Sequence, residues 1–175
     1  MLGLGSNLGD RVRNVLSAAT AMRALHDVAE ARLSALYETR PVGGPPQPNY
    51  VNAALLIRTR LPPREILVAA LAIEHQHGRL RRERFGPRTL DVDILWIEGE
   101  HIDEPSLTVP HARLHERAFA LVPLLDLAPD AVDPRTGTPI KRMLARVEPT
   151  GVWKLVALAK PSARDIADDA MLGSG

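Results

Sequence analysis

The 175-residue sequence contains no cysteine. Disulfides, thiolate metal ligands and cysteine nucleophiles are therefore excluded. Lysine is almost as scarce: Lys141, Lys154 and Lys160 are the only three, so arginine carries most of the positive charge. Aromatic residues make up 3% of the chain, and the formal net charge is +1, which leaves no global basic field for a nucleic acid. No apolar run reaches the ~20 residues needed to span a bilayer. The N-terminus also lacks the basic and apolar stretches of a signal peptide. A cytoplasmic protein without membrane contact is the expectation. What is present fits an ordinary core, with 45% apolar and 25% charged residues. The length suits one domain, expected over residues 1–160, with a flexible tail over 161–175.

Met1 to Leu4 reads as a strand running into the turn residues Gly5-Ser6-Asn7-Leu8-Gly9. Asp10 is placed to cap a helix over about Arg11 to Leu25, where Val12, Val15, Leu16, Ala19 and Met22 recur at helical spacing. A second strand is expected near Arg32 to Glu38. Between Thr39 and Pro48 lie four prolines and two glycines, which excludes helix and central strand and marks a long loop. Tyr50 to Thr59 alternates as a strand, and Pro62-Pro63 opens a helix to about His77. Glu74 falls on that helix's apolar stripe of Ile66, Leu67, Ala70 and Leu71, an unusual place for a carboxylate. Strands are expected at Asp91 to Ile97, shortly after Glu98-Gly99-Glu100, and at Val152 to Leu158, with a helix containing Ala118 to Leu125. The order predicts an α+β fold with helices on one face of the sheet. It suits the ferredoxin-like βαββαβ plan with added C-terminal elements.

Asp91 and Asp93 lie two apart on a strand, so their carboxylates share a face at roughly 6.5–7 Å spacing. Val92, Ile94 and Trp96 then face the core. Paired carboxylates of this kind hold Mg2+ together with substrate phosphates, or are simply two solvated acids. Just upstream, Arg79, Arg81, Arg82, Arg84 and Arg88 lie in or beside a segment bracketed by Gly78 and Gly86. Arginines beside metal-binding acids form the electrostatic kit of phosphoryl transfer, although a solvated basic loop has the same composition. Tyr50 and Asn52 share a strand face, offering a stacking ring and an amide for a flat heterocycle's edge. Phe85 and Phe119 are further candidate stackers, with core packing the competing reading for each.

Histidine metal ligation finds no support, because His75 and His77 lie two apart on a helix and face different ways. Neither a dinucleotide-binding glycine motif nor a phosphate-loop lysine occurs, and no nucleophile-elbow serine motif is present.

Taken in order, the chain resembles the 6-hydroxymethyl-7,8-dihydropterin pyrophosphokinase family over residues 1 to 145. The match is carried by Gly3-Leu4-Gly5-Ser6-Asn7-Leu8-Gly9-Asp10, Tyr37-Glu38-Thr39 and Pro48-Asn49-Tyr50-Val51-Asn52-Ala53. It continues through Glu74, Gly78-Arg79, Gly86-Pro87-Arg88-Thr89-Leu90-Asp91-Val92-Asp93-Ile94, Leu107-Thr108-Val109-Pro110-His111 and Arg117-Ala118-Phe119. The resemblance implies transfer of pyrophosphate from ATP to a reduced hydroxymethylpterin in folate biosynthesis, leaving AMP. It implies Asp91 and Asp93 as ligands of two Mg2+ ions, with Arg79 and Arg88 as catalytic arginines. It implies Thr39, Arg40, Pro41, Val42, Tyr50, Asn52, Phe85 and Phe119 at the pterin. Glu74, Arg81, Arg84, Ile94, Thr108, His111 and Arg117 are implied on the nucleotide side. Ala112 stands where the family usually has proline or an aromatic, and the tail from about Pro149 offers no usable match to the family. A monomer acting on small molecules is expected. The alternatives are a ferredoxin-like nucleic-acid-binding domain and a homologue that binds pterin or ATP without turnover.

Overall fold

Residues 1–78, 86–147 and 149–155 are described by a computed structural model of the chain. The first strand, β1 (Leu2–Ser6), leads through the glycine turn into α1 (Arg11–Arg23). The Asp10 carboxylate accepts from the Arg13 N–H at 3.0 Å and so caps the helix. Two short strands follow, β2 (Val28–Leu33) and β3 (Tyr37–Thr39), then the long strand β4 (Tyr50–Thr59) and α2 (Pro63–Gln76). Next come β5 (Asp91–Ile94), the hairpin β6 (Ile102–Glu104) and β7 (Leu107–Val109), then α3 (Ala118–Leu127), α4 (Ile140–Leu144) and β8 (Val152–Lys154).

The main sheet is antiparallel at every pairing, in the order β5-β1-β4-β3-β8, with β2 also on β4. The strand expected near Arg32 to Glu38 is in fact two. At the break, Ser34 donates its N–H to the Ala54 carbonyl, while its hydroxyl accepts the Ala54 N–H, both at 2.9 Å. A side chain replaces a backbone carbonyl there, so the ladder is kept while the strand bends. The Asp126 carboxylate secures the bend from α3, accepting from the Ala35 N–H at 3.3 Å and the Tyr37 hydroxyl at 2.8 Å.

Helices cover both faces, which corrects the one-face expectation. Leu2, Leu4, Val51, Ala53, Leu55, Val92 and Ile94 meet Val15, Ala18, Met22, Ile66, Ala70 and Ile73 from α1 and α2. On the opposite side, Ala54, Leu95 and Trp96 meet Leu121 and Leu124 of α3 and Ile140 of α4. Trp96 thus belongs with α3, not with Val92 and Ile94: β5 ends at Ile94, and the Trp96 indole N–H donates to the Val132 carbonyl at 2.9 Å. β5 is also shorter than the strand expected to reach Ile97, and the final strand ends at Lys154. The tail over 161–175 lies outside the described residues. Among the described residues no helix is long and apolar enough to cross a membrane.

Candidate active site

On the face that α3 and α4 cover only in part, the sheet forms the floor of a cleft of about 530 Å3. Strand alternation decides which side chains line it. Gly5 of β1 lies in register with Asn52 of β4 on one side and Asp91 of β5 on the other. A Cβ on Gly5 would stand 2.7 Å from the Asn52 side-chain oxygen, so glycine is what lets that amide lie across β1. The Asn52 amide donates to the Thr39 hydroxyl at 2.6 Å and is almost fully buried. Asn52 and Asp91 sit two strands apart, roughly 10 Å at ordinary strand spacing. One side of the floor is therefore amide and hydroxyl, the other carboxylate.

Asp91 and Asp93 both line the cleft, and each has an arginine. The Arg88 guanidinium donates to Asp91 at 2.8 Å, and Arg117 reaches Asp93 at 3.3 Å. Burial works against the Arg88 charge, but Asp91, Tyr50 and Asp93 together more than offset it and hold the guanidinium protonated. Arg117 also stands over the Phe119 ring, 5.7 Å from its centroid. His111 is half-buried beside them. Burial first, and the Arg117 charge second, push its pKa down to about 4, so the ring is neutral near pH 7. Its Nδ1 accepts from the Arg113 N–H at 3.1 Å, which leaves the proton on Nε2.

Asn7 ties the two walls together. Its side-chain oxygen accepts from the Arg88 N–H at 2.7 Å, and its amide donates to Gln47 at 3.0 Å and to the Pro48 carbonyl at 3.2 Å. Gln47 accepts in turn from the Tyr50 hydroxyl at 3.1 Å. The segment carrying Arg88 and the end of the proline-rich loop are thus joined through one buried side chain.

Of the residues singled out from sequence, Thr39, Arg40, Pro41, Val42, Tyr50, Asn52, Arg88, Asp91, Asp93, His111, Arg117 and Phe119 all line this cleft. Ile94 instead packs in the core beneath the sheet. Thr108 lies on β7, paired with Asp103, and is not among the lining residues. Glu74 is buried under β5, where its carboxylate accepts the Val92 N–H at 2.8 Å. That contact accounts for a carboxylate on an apolar stripe: β5 is an edge strand, and Glu74 supplies an acceptor between the two cleft aspartates. Arg79, Arg81, Arg84 and Phe85 lie outside the described residues. Gln47, Arg113 and Glu116 line the cleft without having been singled out, because nothing local in their sequence marks them.

Among the described residues no cluster of three or more histidines and carboxylates gathers. Asp91 and Asp93 form an all-oxygen pair of hard donors, which suits a divalent cation that takes its remaining ligands from a bound phosphate and water.

The family model for 7,8-dihydro-6-hydroxymethylpterin-pyrophosphokinase (HPPK) matches residues 1–129. The chain belongs to the HPPK family. The 2-amino-4-hydroxy-6-hydroxymethyldihydropteridine pyrophosphokinase of Synechocystis sp. is 40% identical over 87% of this chain and 78% of its own length. That of Methylorubrum extorquens is 40% identical over 88% of this chain and 96% of its own. Among solved structures, Plasmodium falciparum HPPK-DHPS superposes with a TM-score of 0.59 at 14% identity. The match covers 83% of this chain and 42% of that longer one, and supports the fold alone. Membership of the HPPK family does not favour the nucleic-acid-binding alternative. The family model ends at Pro129, short of α4 and β8, whereas the matches to the Synechocystis and Methylorubrum relatives, 153 and 154 residues long, extend on to the C-terminal strand.

Proposed function

We propose that this chain transfers the β,γ-pyrophosphoryl group of ATP to the hydroxymethyl oxygen of 6-hydroxymethyl-7,8-dihydropterin, a step of folate biosynthesis. The observation that carries the reading is a single cleft with two arginine-paired carboxylates on one side and an Asn52–Thr39 polar edge on the other. In this reading Asn52 and the Thr39–Val42 backbone meet the pterin's polar edge, and Tyr50 and Phe119 its ring faces. His111, as a neutral Nε2 donor, and Arg117 serve the nucleotide. Asp91 and Asp93 would hold two Mg2+ ions, which would supply charge neutralisation of the triphosphate and alignment of the attacking oxygen. That oxygen bonds to the β-phosphorus, the bond from the α-phosphate's bridging oxygen to the β-phosphorus breaks, and its electron pair leaves with AMP. The hydroxyl proton passes to solvent. Arg88 and Arg117 are the charges that meet the transferring group once the carboxylates engage cations, and the cleft walls orient the two substrates. The fold reading is that β2 and β3 act as one interrupted strand, which makes the order β5-β1-β4-β2/β3 the ferredoxin-like βαββαβ arrangement.

Product analysis with ATP, Mg2+ and the pterin tests this. Pterin-dependent AMP release is the expected result, reduced on the order of 10²–10³-fold or more by Asp91→Asn or Asp93→Asn. Release of ADP would show attack at the γ-phosphorus and overturn the reading. Full activity in both variants would remove the carboxylates from the mechanism.

A further inference from the structure

The cleft wall from Arg40 to Gly43 runs into an exposed loop: Val42 is 65% exposed, and Gly43 and Gly44 have φ of +74° and +82°. At the base of that wall Thr39 is gripped from inside the cleft by the Asn52 amide. Arg40 is gripped from the opposite direction, by the C-terminal strand. β8 pairs with β3 at the edge of the sheet, with Val152 opposite Thr39 and Trp153 opposite Glu38. One residue further, the Arg40 N–H donates to the Gly151 carbonyl at 2.9 Å.

The side chain of Arg40 is held as well as its backbone. Gly151 has a φ of +83°, and a Cβ there would lie 3.2 Å from each of Cβ, Cγ and Cδ of Arg40. Glycine at 151 thus meets two demands at once, left-handed backbone and close passage of the arginine stem. The guanidinium then stands over the Trp153 ring, 5.2 Å from its centroid. Trp153 is itself 45% exposed, an arrangement that core packing does not require. Backbone and stem of one cleft residue are thus engaged by Gly151 and its head group by Trp153.

We propose that the segment Gly151–Trp153 is a clamp that sets the pterin-side wall of the cleft through Arg40, with Gly151 and Trp153 as positioning residues for pterin binding. It rests on the reading that the Thr39–Val42 wall meets the pterin. The clamp lies on β8 and the turn before it, beyond residues 1–129 that the family model matches.

The test is steady-state kinetics with ATP and 6-hydroxymethyl-7,8-dihydropterin on Trp153→Ala, Trp153→Phe, Arg40→Ala, the Arg40→Ala/Trp153→Ala double variant and Gly151→Ala. Because Trp153 is half-exposed, its replacement does not threaten folding. Trp153→Ala is expected to raise the pterin KM about two- to fivefold, the scale of an exposed cation–π contact, with the ATP KM unchanged. Trp153→Phe restores most of it, and the double variant is no worse than Arg40→Ala alone. Unchanged pterin KM, equal shifts in both KM values, or additive effects in the double variant would each overturn the clamp. Hydrogen exchange at the Arg40 amide separates this from failure of the functional reading. If the wild type gave no pterin-dependent turnover, the function would fall. A loss of Arg40 protection in Gly151→Ala would still support the clamp, and unchanged protection would sink it.

Discussion

Asn7 and Arg88 hold each other through a reciprocal pair: the Asn7 side-chain oxygen accepts the Arg88 N–H at 2.7 Å, and the Asn7 N–H donates to the Arg88 carbonyl at 3.1 Å. A residue in the first glycine turn therefore fixes the backbone of a cleft arginine 81 positions later. Asn7 is 2% exposed, so water does not replace these bonds when they are lost. Asn7→Ala is expected to cost about 1–3 kcal/mol of stability and to lower kcat more than it raises either KM. Denaturant titration beside kinetics checks this. Asn7→Asp keeps the acceptor for Arg88 but loses the amide donor to Gln47 and Pro48, and is expected to retain more activity than alanine. Equal loss in both variants would mean that the grip on Arg88 is not what matters.

Gly5 gives a sharper steric test. Its missing side chain is where the Asn52 amide lies, 2.7 Å from where a Cβ would stand, and Asn52 is buried in its bond to Thr39. Gly5→Ala forces that amide to move, at an overpacking cost of about 1–3 kcal/mol. The pterin KM is expected to rise while the ATP KM holds, since the nucleotide side of the floor is one strand away. An equal rise in both would show that the strand as a whole had shifted.

Much of this cleft was readable before any coordinates, and the reason is period. Two-residue alternation places Asp91 with Asp93 and Tyr50 with Asn52 on one face of their strands, and both pairs do line the cleft. The same reasoning misplaced Trp96, because alternation holds only while the strand lasts and β5 ends at Ile94. It also joined β2 to β3, because a serine hydroxyl standing in for a backbone carbonyl leaves no mark in a hydrophobic pattern. Gln47, Arg113 and Glu116 come to the cleft through loop and short-helix paths whose geometry is set by tertiary contacts. The Arg40–Trp153 contact was out of reach for a similar reason, since it joins segments separated by most of the chain.

Glu74 was legible as an oddity, a carboxylate on an apolar stripe, but its partner was not. It accepts the Val92 N–H at 2.8 Å, directly between Asp91 and Asp93 on an edge strand. Removing the acceptor leaves a buried donor unsatisfied and frees the strand that aims both carboxylates. Glu74→Ala is expected to lose about 1.5–3 kcal/mol of stability, as for a hydrogen bond to a charged group. It should also weaken Mg2+-dependent ATP binding measured by calorimetry under conditions where the variant is folded. Glu74→Gln keeps an acceptor and is expected to fall between. Full Mg2+-dependent binding by folded Glu74→Ala would separate the residue from the carboxylate pair.

His111 sets an acid limit on stability. Its pKa falls from an ordinary 6.5 to about 4 in the fold, through burial and then through the charge of Arg117. Between those values the unfolded chain takes up a proton that the folded chain refuses. Stability from this group is therefore full above about pH 6.5 and drains as pH falls, with no further loss below about pH 4. Urea titrations of the wild type at pH 7 and pH 5 are expected to show the decline, with carboxylate titration adding to it mainly below pH 5. His111→Gln has no ring to protonate and keeps an acceptor within reach of the Arg113 N–H, so its stability should fall less over the same interval. An identical decline in the two proteins would place the acid sensitivity elsewhere.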